Sequence, residues 1–349
     1  MISDAARVVI PSAAAFIIGV VLAPLLTHYL YNYRAWEKKG GKGNGIGDAN
    51  GTPIFDALHA EREVSTPRMG GILIWVSVLL TALVFSMFGG RFAPLNFVSR
   101  SQTWLPLMAL AVGAVAGLVD DILEVTRSSG GLRLRYRLLI MSALGLFSGW
   151  WFFAKLGVSS VGIPFHGHLE LGVFFIPFFM LVMLAVYASG IIDGLDGLAG
   201  GVFAIIFMTY AGIAFVQHQV SLAAFDATVA GGTLAFLWFN IPPARFYMSE
   251  TGSMALTAAL AITAFSADTL GDGVGVAVLP LIALPLTLTV VTALIQVCSK
   301  KFFKRKVFRI VPIHHHFEAI GWPPAKIVMR YWVITLIAGV VGLALALVR

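Results

Sequence analysis

Four short stretches hold most of the residues capable of chemistry. "GLVDDILEV" groups Asp120, Asp121 and Glu124; "GIIDGLDGLAGG" holds Asp193 and Asp196; "FNIPPARFYMSETGS" holds Asn240, Tyr247 and Glu250; "VPIHHHFEAIGW" holds His314, His315 and His316 beside Glu318. Carboxylates grouped without a soft ligand suit a hard cation, and Mg²⁺ in particular binds through one or two carboxylates, retained waters and substrate phosphates. That combination points to phosphoryl chemistry. The basic run "KKFFKRKVFRIVPIHHH" would add charge for a pyrophosphate or lipid phosphate, and equally reads as an anchor to anionic headgroups.

Each stretch also has a plainer reading. An Asp pair at a helix end is often a solvated terminus. Asp193 and Asp196, three apart, would share a helical face, yet a Gly-rich DG turn explains them almost as well. Three successive histidines also read as an exposed metal-binding tract. The Gly-rich segment 37–53, "EKKGGKGNGIGDANGTP", lacks the GK[ST] ending of a phosphate-binding loop and reads as a flexible cytoplasmic linker.

The elements that position these residues follow from composition. Of 349 residues, 58% are hydrophobic and 12% charged, against roughly 25% charged in a soluble domain, and apolar stretches near the ~20 residues that cross a bilayer recur throughout. This predicts an all-α, polytopic membrane protein, a single integral membrane domain over 1–349. Its ten spans fall at about 8–31, 69–88, 103–120, 134–154, 171–190, 197–217, 221–240, 252–268, 272–298 and 327–348. The first stretch lacks a basic leader and a small-residue cleavage pattern and reads as a retained helix.

Of the 24 Lys and Arg residues, 19 lie in or beside loops that follow odd-numbered spans. The positive-inside rule then places those loops in the cytoplasm and both termini outside. All four motifs fall on that cytoplasmic side, the histidines in a basic loop over about 299–325. An acid within the hydrocarbon costs about 2.5–3.5 kcal/mol on insertion scales, so carboxylates gathered at one face are there for a purpose. The net charge of +7 is accounted for by topology and anionic lipid, and argues for no nucleic-acid partner. The single cysteine, Cys298, allows no internal disulfide. Pro280 and Pro285 predict a bend in the ninth span, opening a lipid-facing groove beside the Asp pair; helix packing alone would explain the same prolines.

Taken together, "STPRMGGILIW", "GLVDD", "DGLDGLAGG", "FNIPPARFYMSETGS" and "VPIHHHFEAIGWPPAKIVMRYWVIT" resemble, in order and approximate spacing, the bacterial phospho-N-acetylmuramoyl-pentapeptide transferases. The likeness runs from about residue 50 to the end. HHHFE with GW downstream is specific to that family, whereas the Asp pair and DGLDGLA are shared across polyprenyl-phosphate sugar-1-phosphate transferases. The resemblance implies transfer of phospho-MurNAc-pentapeptide from UDP-MurNAc-pentapeptide to undecaprenyl phosphate, giving lipid I and UMP. It also implies Mg²⁺ as cofactor, a multi-pass place in the bacterial inner (cytoplasmic) membrane, a role in peptidoglycan synthesis, cell shape and division, and a homodimer in many members.

Carried across by resemblance, Asp120 and Asp121 match the family's Asp pair, with Asp120 the favoured base toward the lipid phosphate. Attack by Asp120 itself to form a phospho-enzyme is the alternative. Asp193, Asp196, Asn240, Tyr247 and His316 match substrate-binding positions, with Asp196 near the uridine and Tyr247 where a Phe usually stacks on uracil. His314 and His315 match the catalytic histidine loop, and Glu250 the metal-ligating Asp of GDTGS. The chain departs from the family at Glu250, at Glu124 where a Lys is usual, at Gly190 where an Asn is usual, and at Arg68 where a Thr precedes MGG. Glu124 favours a sister enzyme acting on UDP-GlcNAc or another UDP-HexNAc. A transporter would carry its charges near the midplane rather than at helix ends. An inactive cell-wall scaffold is the third alternative, suggested by the departures at Glu250 and Glu124.

Overall fold

The computed structural model describes residues 2–36, 65–127, 130–269 and 273–348. The linker expected over 37–53 lies outside them. Twelve helices are seen among these residues: α1 (Asp4–Asn32), α2 (Ile72–Ser86), α3 (Trp104–Thr126), α4 (Leu134–Leu156), α5 (Phe175–Ala188), α6 (Leu198–Val216), α7 (Val220–Asn240), α8 (Ser249–Thr269), α9 (Gly275–Ile282), α10 (Leu284–Cys298), α11 (Ile313–Ala319) and α12 (Pro324–Leu347). A short antiparallel hairpin, β1 (Ser160–Ile163) with β2 (Gly167–Glu170), is the one departure from an all-α fold among the described residues. Eight helical segments are long and apolar enough to cross a bilayer. The chain is a multi-pass membrane protein.

Two of the ten expected spans fall short of that standard for different reasons. Helix α2 has 15 residues and is about 22 Å long, less than the ~30 Å hydrocarbon core. Helix α8 is long enough but rich in Ser, Thr and Ala, and every residue from Thr251 to Asp268 is buried. It is the central post of the bundle, packed by α3, α5, α6 and α9. A helix enclosed by other helices has no lipid to match, so small and weakly polar residues serve it better than Leu or Phe.

Helices α3 and α8 pack closely. In the stretch "GAVAG", a Cβ on Gly113 would lie 2.5 Å from the carbonyl oxygen of Met254, and one on Gly117 would lie 2.1 Å from that of Glu250. Only glycine allows the backbones to meet at this spacing, the small-xxx-small logic of membrane helices. The contact brings the C-terminal turns of α3, with the Asp pair, against the first turn of α8.

At the far end of α8, Asp268 accepts hydrogen bonds from the N–H groups of Gly162 (2.8 Å) and Val276 (3.0 Å). It thereby ties the hairpin and the start of α9 to the central post. The bend expected in the ninth span is present: α9 and α10 are separated at Ala283, with Pro280 inside the first and Pro285 in the first turn of the second. The Thr287 hydroxyl donates to the Pro280 carbonyl at 3.0 Å, satisfying an acceptor that the break would otherwise leave open. After the bend, α10 leans on the turn Ser189–Ile192 and on α11. Two apolar recesses are lined by described residues, one of about 580 Å³ between α1, α6 and α7 and one of about 410 Å³ beside Trp322 and Arg330. The segment expected as a loop around the histidines also differs, because Ile313–Ala319 forms the short helix α11.

Candidate active site

The Asp pair sits on α3 with both carboxylates fully buried. Asp121 Oδ2 accepts from the backbone N–H (2.9 Å) and hydroxyl (2.6 Å) of Thr251 in the first turn of α8. Asp120 Oδ1 accepts from the Leu132 N–H just before α4, and its Oδ2 lies 2.9 Å from Arg137 Nη2. Arg137 also pairs through Nη1 with Glu250 Oε1 at 2.6 Å, and its Nε donates to the Leu132 carbonyl at 3.1 Å. One guanidinium therefore joins α3, α4 and α8. A second, Arg68, lies 3.1 Å from Glu124 Oε2 and 3.7 Å from Asp121 Oδ1.

Asp120, Asp121 and Glu124 each offer an oxygen within 4.8 Å of the others, a spacing that could hold a metal ion. Asp120 Oδ2 and Asp121 Oδ1 are buried outside any hydrogen bond, and each faces a guanidinium, Arg137 at 2.9 Å and Arg68 at 3.7 Å. Hard oxygen donors of this kind fit Mg²⁺ or a similar divalent ion. Glu250, the residue expected to ligate metal, is not one of these three; its Oε1 pairs with Arg137.

Asp193 and Asp196 do not share a helical face. They lie in the turn after Ser189–Ile192, closed by Gly197 at φ 80°, so the DG-turn reading is the observed one. Asp193 Oδ2 accepts from the Ser249 N–H at 2.8 Å, next to Glu250, and Asp196 Oδ2 accepts from the Ala244 N–H at 3.2 Å. Asn240 is buried, with its Oδ1 accepting from the Gly197 N–H and its Nδ2 donating to the Phe246 carbonyl, both at 2.9 Å. It brackets the turn against the segment before α8. Tyr247 is half-buried in that segment, which runs beside residues 67–71: the Tyr247 N–H donates to the Pro67 carbonyl at 2.8 Å and the Gly70 N–H to the Tyr247 carbonyl at 2.7 Å.

The histidines divide. His314 and His315 are buried, with ring centroids 4.3 Å apart, and both face the acidic turn: a Cβ on Gly194 would lie 2.5 Å from Nε2 of His315 and 2.6 Å from Nε2 of His314. His315 Nδ1 lies 2.7 Å from Oε2 of Glu318, one helical turn on. His316 turns the other way, accepting from the Arg309 N–H at 3.2 Å and standing edge-on to Phe308. The structure thus connects His314 and His315 through the Asp193 turn to Glu250, Arg137 and the Asp pair, and leaves His316 on the outer side of α11.

Arg137 and Thr251 were not singled out by the motifs, and Glu318 was named only as a neighbour of the histidines. Glu318 had a signal, its spacing of three from His315 in a helical segment. Arg137 lies in the run "RLRYR", where a functional arginine cannot be told from a topogenic one, and Thr251 becomes a ligand of Asp121 only through packing.

Fold and site together define a polytopic membrane protein that gathers acids, arginines and histidines from separate connections at one end of its bundle. A family model for glycosyl transferase family 4 matches residues 103–268. The phospho-N-acetylmuramoyl-pentapeptide-transferase of Chloroflexus aurantiacus is 30% identical over 365 aligned positions, covering 100% of this chain and 92% of the relative. The transferase of the same name from Caldanaerobacter subterraneus is 33% identical over 79% of this chain and 83% of its own length. That from Listeria welshimeri is 30% identical over 96% and 97%. The chain belongs to the phospho-N-acetylmuramoyl-pentapeptide-transferase family.

Proposed function

We propose that this protein transfers phospho-MurNAc-pentapeptide from UDP-MurNAc-pentapeptide to undecaprenyl phosphate, producing lipid I and UMP for peptidoglycan synthesis. The observation that carries the reading is the junction of the Asp120–Arg137–Glu250 cluster with the turn of Asp193 and the buried pair His314 and His315. A single anionic substrate with two phosphates and a sugar would span these groups. Family membership supplies the donor and acceptor.

In this reading a phosphate oxygen of the lipid attacks the β-phosphorus of the donor, the α–β anhydride bond breaks, and UMP leaves with the bonding pair. Asp120 takes the proton from the lipid phosphate, with Arg137 and the Leu132 N–H holding its carboxylate in place. Thr251 fixes Asp121, and Glu318 orients His315 toward the pyrophosphate and sugar. Asp193, Asp196, Tyr247 and the segment around Asn240 shape the nucleotide side. Asp121 and Glu124, beside Asp120, would hold Mg²⁺, which would supply charge neutralisation at the diphosphate. Most of the rate enhancement would come from positioning and electrostatics.

The same reading takes the chain as one domain in the bacterial cytoplasmic membrane, with termini outside and the site at the inner face, where a lipid arrives sideways and a nucleotide from the cytosol. Homodimerisation is proposed on the resemblance alone. The test is UMP release by purified protein with Mg²⁺ and undecaprenyl phosphate, comparing UDP-MurNAc-pentapeptide with UDP-GlcNAc, and Asp120→Asn as control. Release from the muramoyl donor, lost in the variant, is expected. Release from UDP-GlcNAc alone moves the chain to the sister activity, and release from neither overturns both.

A further inference from the structure

Asp121 has two oxygens in different circumstances. Oδ2 accepts two hydrogen bonds from Thr251, so a cation bound by this residue must use Oδ1, which is buried and accepts none. That oxygen faces Arg68 Nε at 3.7 Å, while Arg68 Nη2 holds Glu124 at 3.1 Å. Two of the three triad members are therefore turned toward one guanidinium. A divalent ion entering among Asp120, Asp121 and Glu124 needs the same oxygens, and two cations at that spacing repel.

The backbone carrying Arg68 is fixed. Its own N–H donates to the Ala35 carbonyl at 2.7 Å, the Pro67 carbonyl accepts from Tyr247, and Gly70 and Gly71 donate to Tyr247 (2.7 Å) and Met248 (3.1 Å). Only the side chain is left to move, and its length lets the guanidinium leave the acids while remaining beside them. A planar fork of donors released next to a metal-loaded acid cluster matches phosphate oxygens in shape and charge.

We propose that Arg68 is the resident counter-cation of Asp121 and Glu124, as Arg137 is of Asp120: it competes with the divalent ion for Asp121 and Glu124, and on displacement becomes a positioning residue for substrate phosphate. The second half rests on the transferase reading, the first does not. Removing Arg68 should therefore act with opposite signs on the two ligands.

The test uses the full-length protein in detergent without nucleotide or lipid substrate. Mn²⁺ binding is followed by the electron paramagnetic resonance signal of the free ion, for the unmodified chain, Arg68→Ala, Arg68→Lys and Glu124→Gln. Arg68→Ala should tighten Mn²⁺ by about tenfold, Arg68→Lys should stay near the unmodified value, and Glu124→Gln should weaken it, as expected for loss of a competing cation and of a ligand respectively. Inorganic pyrophosphate, titrated calorimetrically at saturating Mn²⁺, should bind roughly tenfold more weakly to Arg68→Ala. Mn²⁺ affinity unchanged or lowered in Arg68→Ala overturns the competition, and unchanged pyrophosphate affinity overturns the phosphate role. If the alanine variant does not stay folded, Arg68→Gln carries the same comparison. An unmodified protein that releases no UMP would overturn the proposed function while leaving the Mn²⁺ comparison decisive.

Discussion

Arg137 Nη1 lies 2.6 Å from Glu250 Oε1, so the first turn of the central helix is clasped by a residue at the start of α4. Because the same guanidinium reaches Asp120 at 2.9 Å, its removal leaves two neighbouring carboxylates without their shared cation. Breaking a buried pair from one side typically costs about 3–5 kcal/mol, and this pair is partly open to solvent. Arg137→Ala should lower the melting temperature in detergent and reduce UMP release by roughly a hundredfold or more. Arg137→Lys, a point charge without the fork, should retain the fold and recover only part of the activity. Equal activity of Arg137→Ala and the unmodified protein would remove Arg137 from the site.

Glu250 and Asp121 should separate in a metal titration. Glu250→Asp shortens the side chain by one methylene and draws it back from Arg137, so turnover should fall by about tenfold. Mn²⁺ affinity should change little, because the oxygens spaced for a metal belong to Asp120, Asp121 and Glu124. Asp121→Asn should weaken Mn²⁺ strongly. The reverse pattern would return Glu250 to the role of metal ligand.

Gly194 is the seam between the acidic turn and the histidine helix. Gly194→Ala places a methyl group 2.5–2.6 Å from both Nε2 atoms, and the rings must move. Overpacking of this kind costs about 1–3 kcal/mol. A displacement of about 1 Å at reacting groups can cost a hundredfold in rate. UMP release should therefore suffer far more than thermal stability, measured side by side.

The three histidines should not be equivalent. His314→Ala and His315→Ala remove buried rings at the turn, and each should reduce turnover by roughly a hundredfold or more. His316→Ala, whose ring contacts Phe308 and Arg309, should stay within about threefold of the unmodified rate. Glu318→Gln should fall between them, by about tenfold, since it loses only the partner that orients His315. Steady-state UMP release by the four variants checks the order.

Much of this protein was legible in its sequence because hydrophobic length and motif order are properties of the linear chain. The apolar segments fixed an all-α membrane bundle. Asp120, Asp121, Asp193, Asp196, Glu250 and the histidines announced themselves by types and spacing that lipid would not tolerate without reason. The tertiary structure decided how these groups are paired. Helix α8 is a central post because its neighbours enclose it, which its own hydropathy understates. The Gly113 and Gly117 contact sets α3 at the height where Asp121 meets Thr251. Arg137 and Arg68 join the site only because α4 and the 67–71 segment come within hydrogen-bonding reach of α3 and α8. Which carboxylate faces which arginine depends on distances of a few ångströms between separate segments. Such distances are fixed by packing, and no local pattern of residues encodes them.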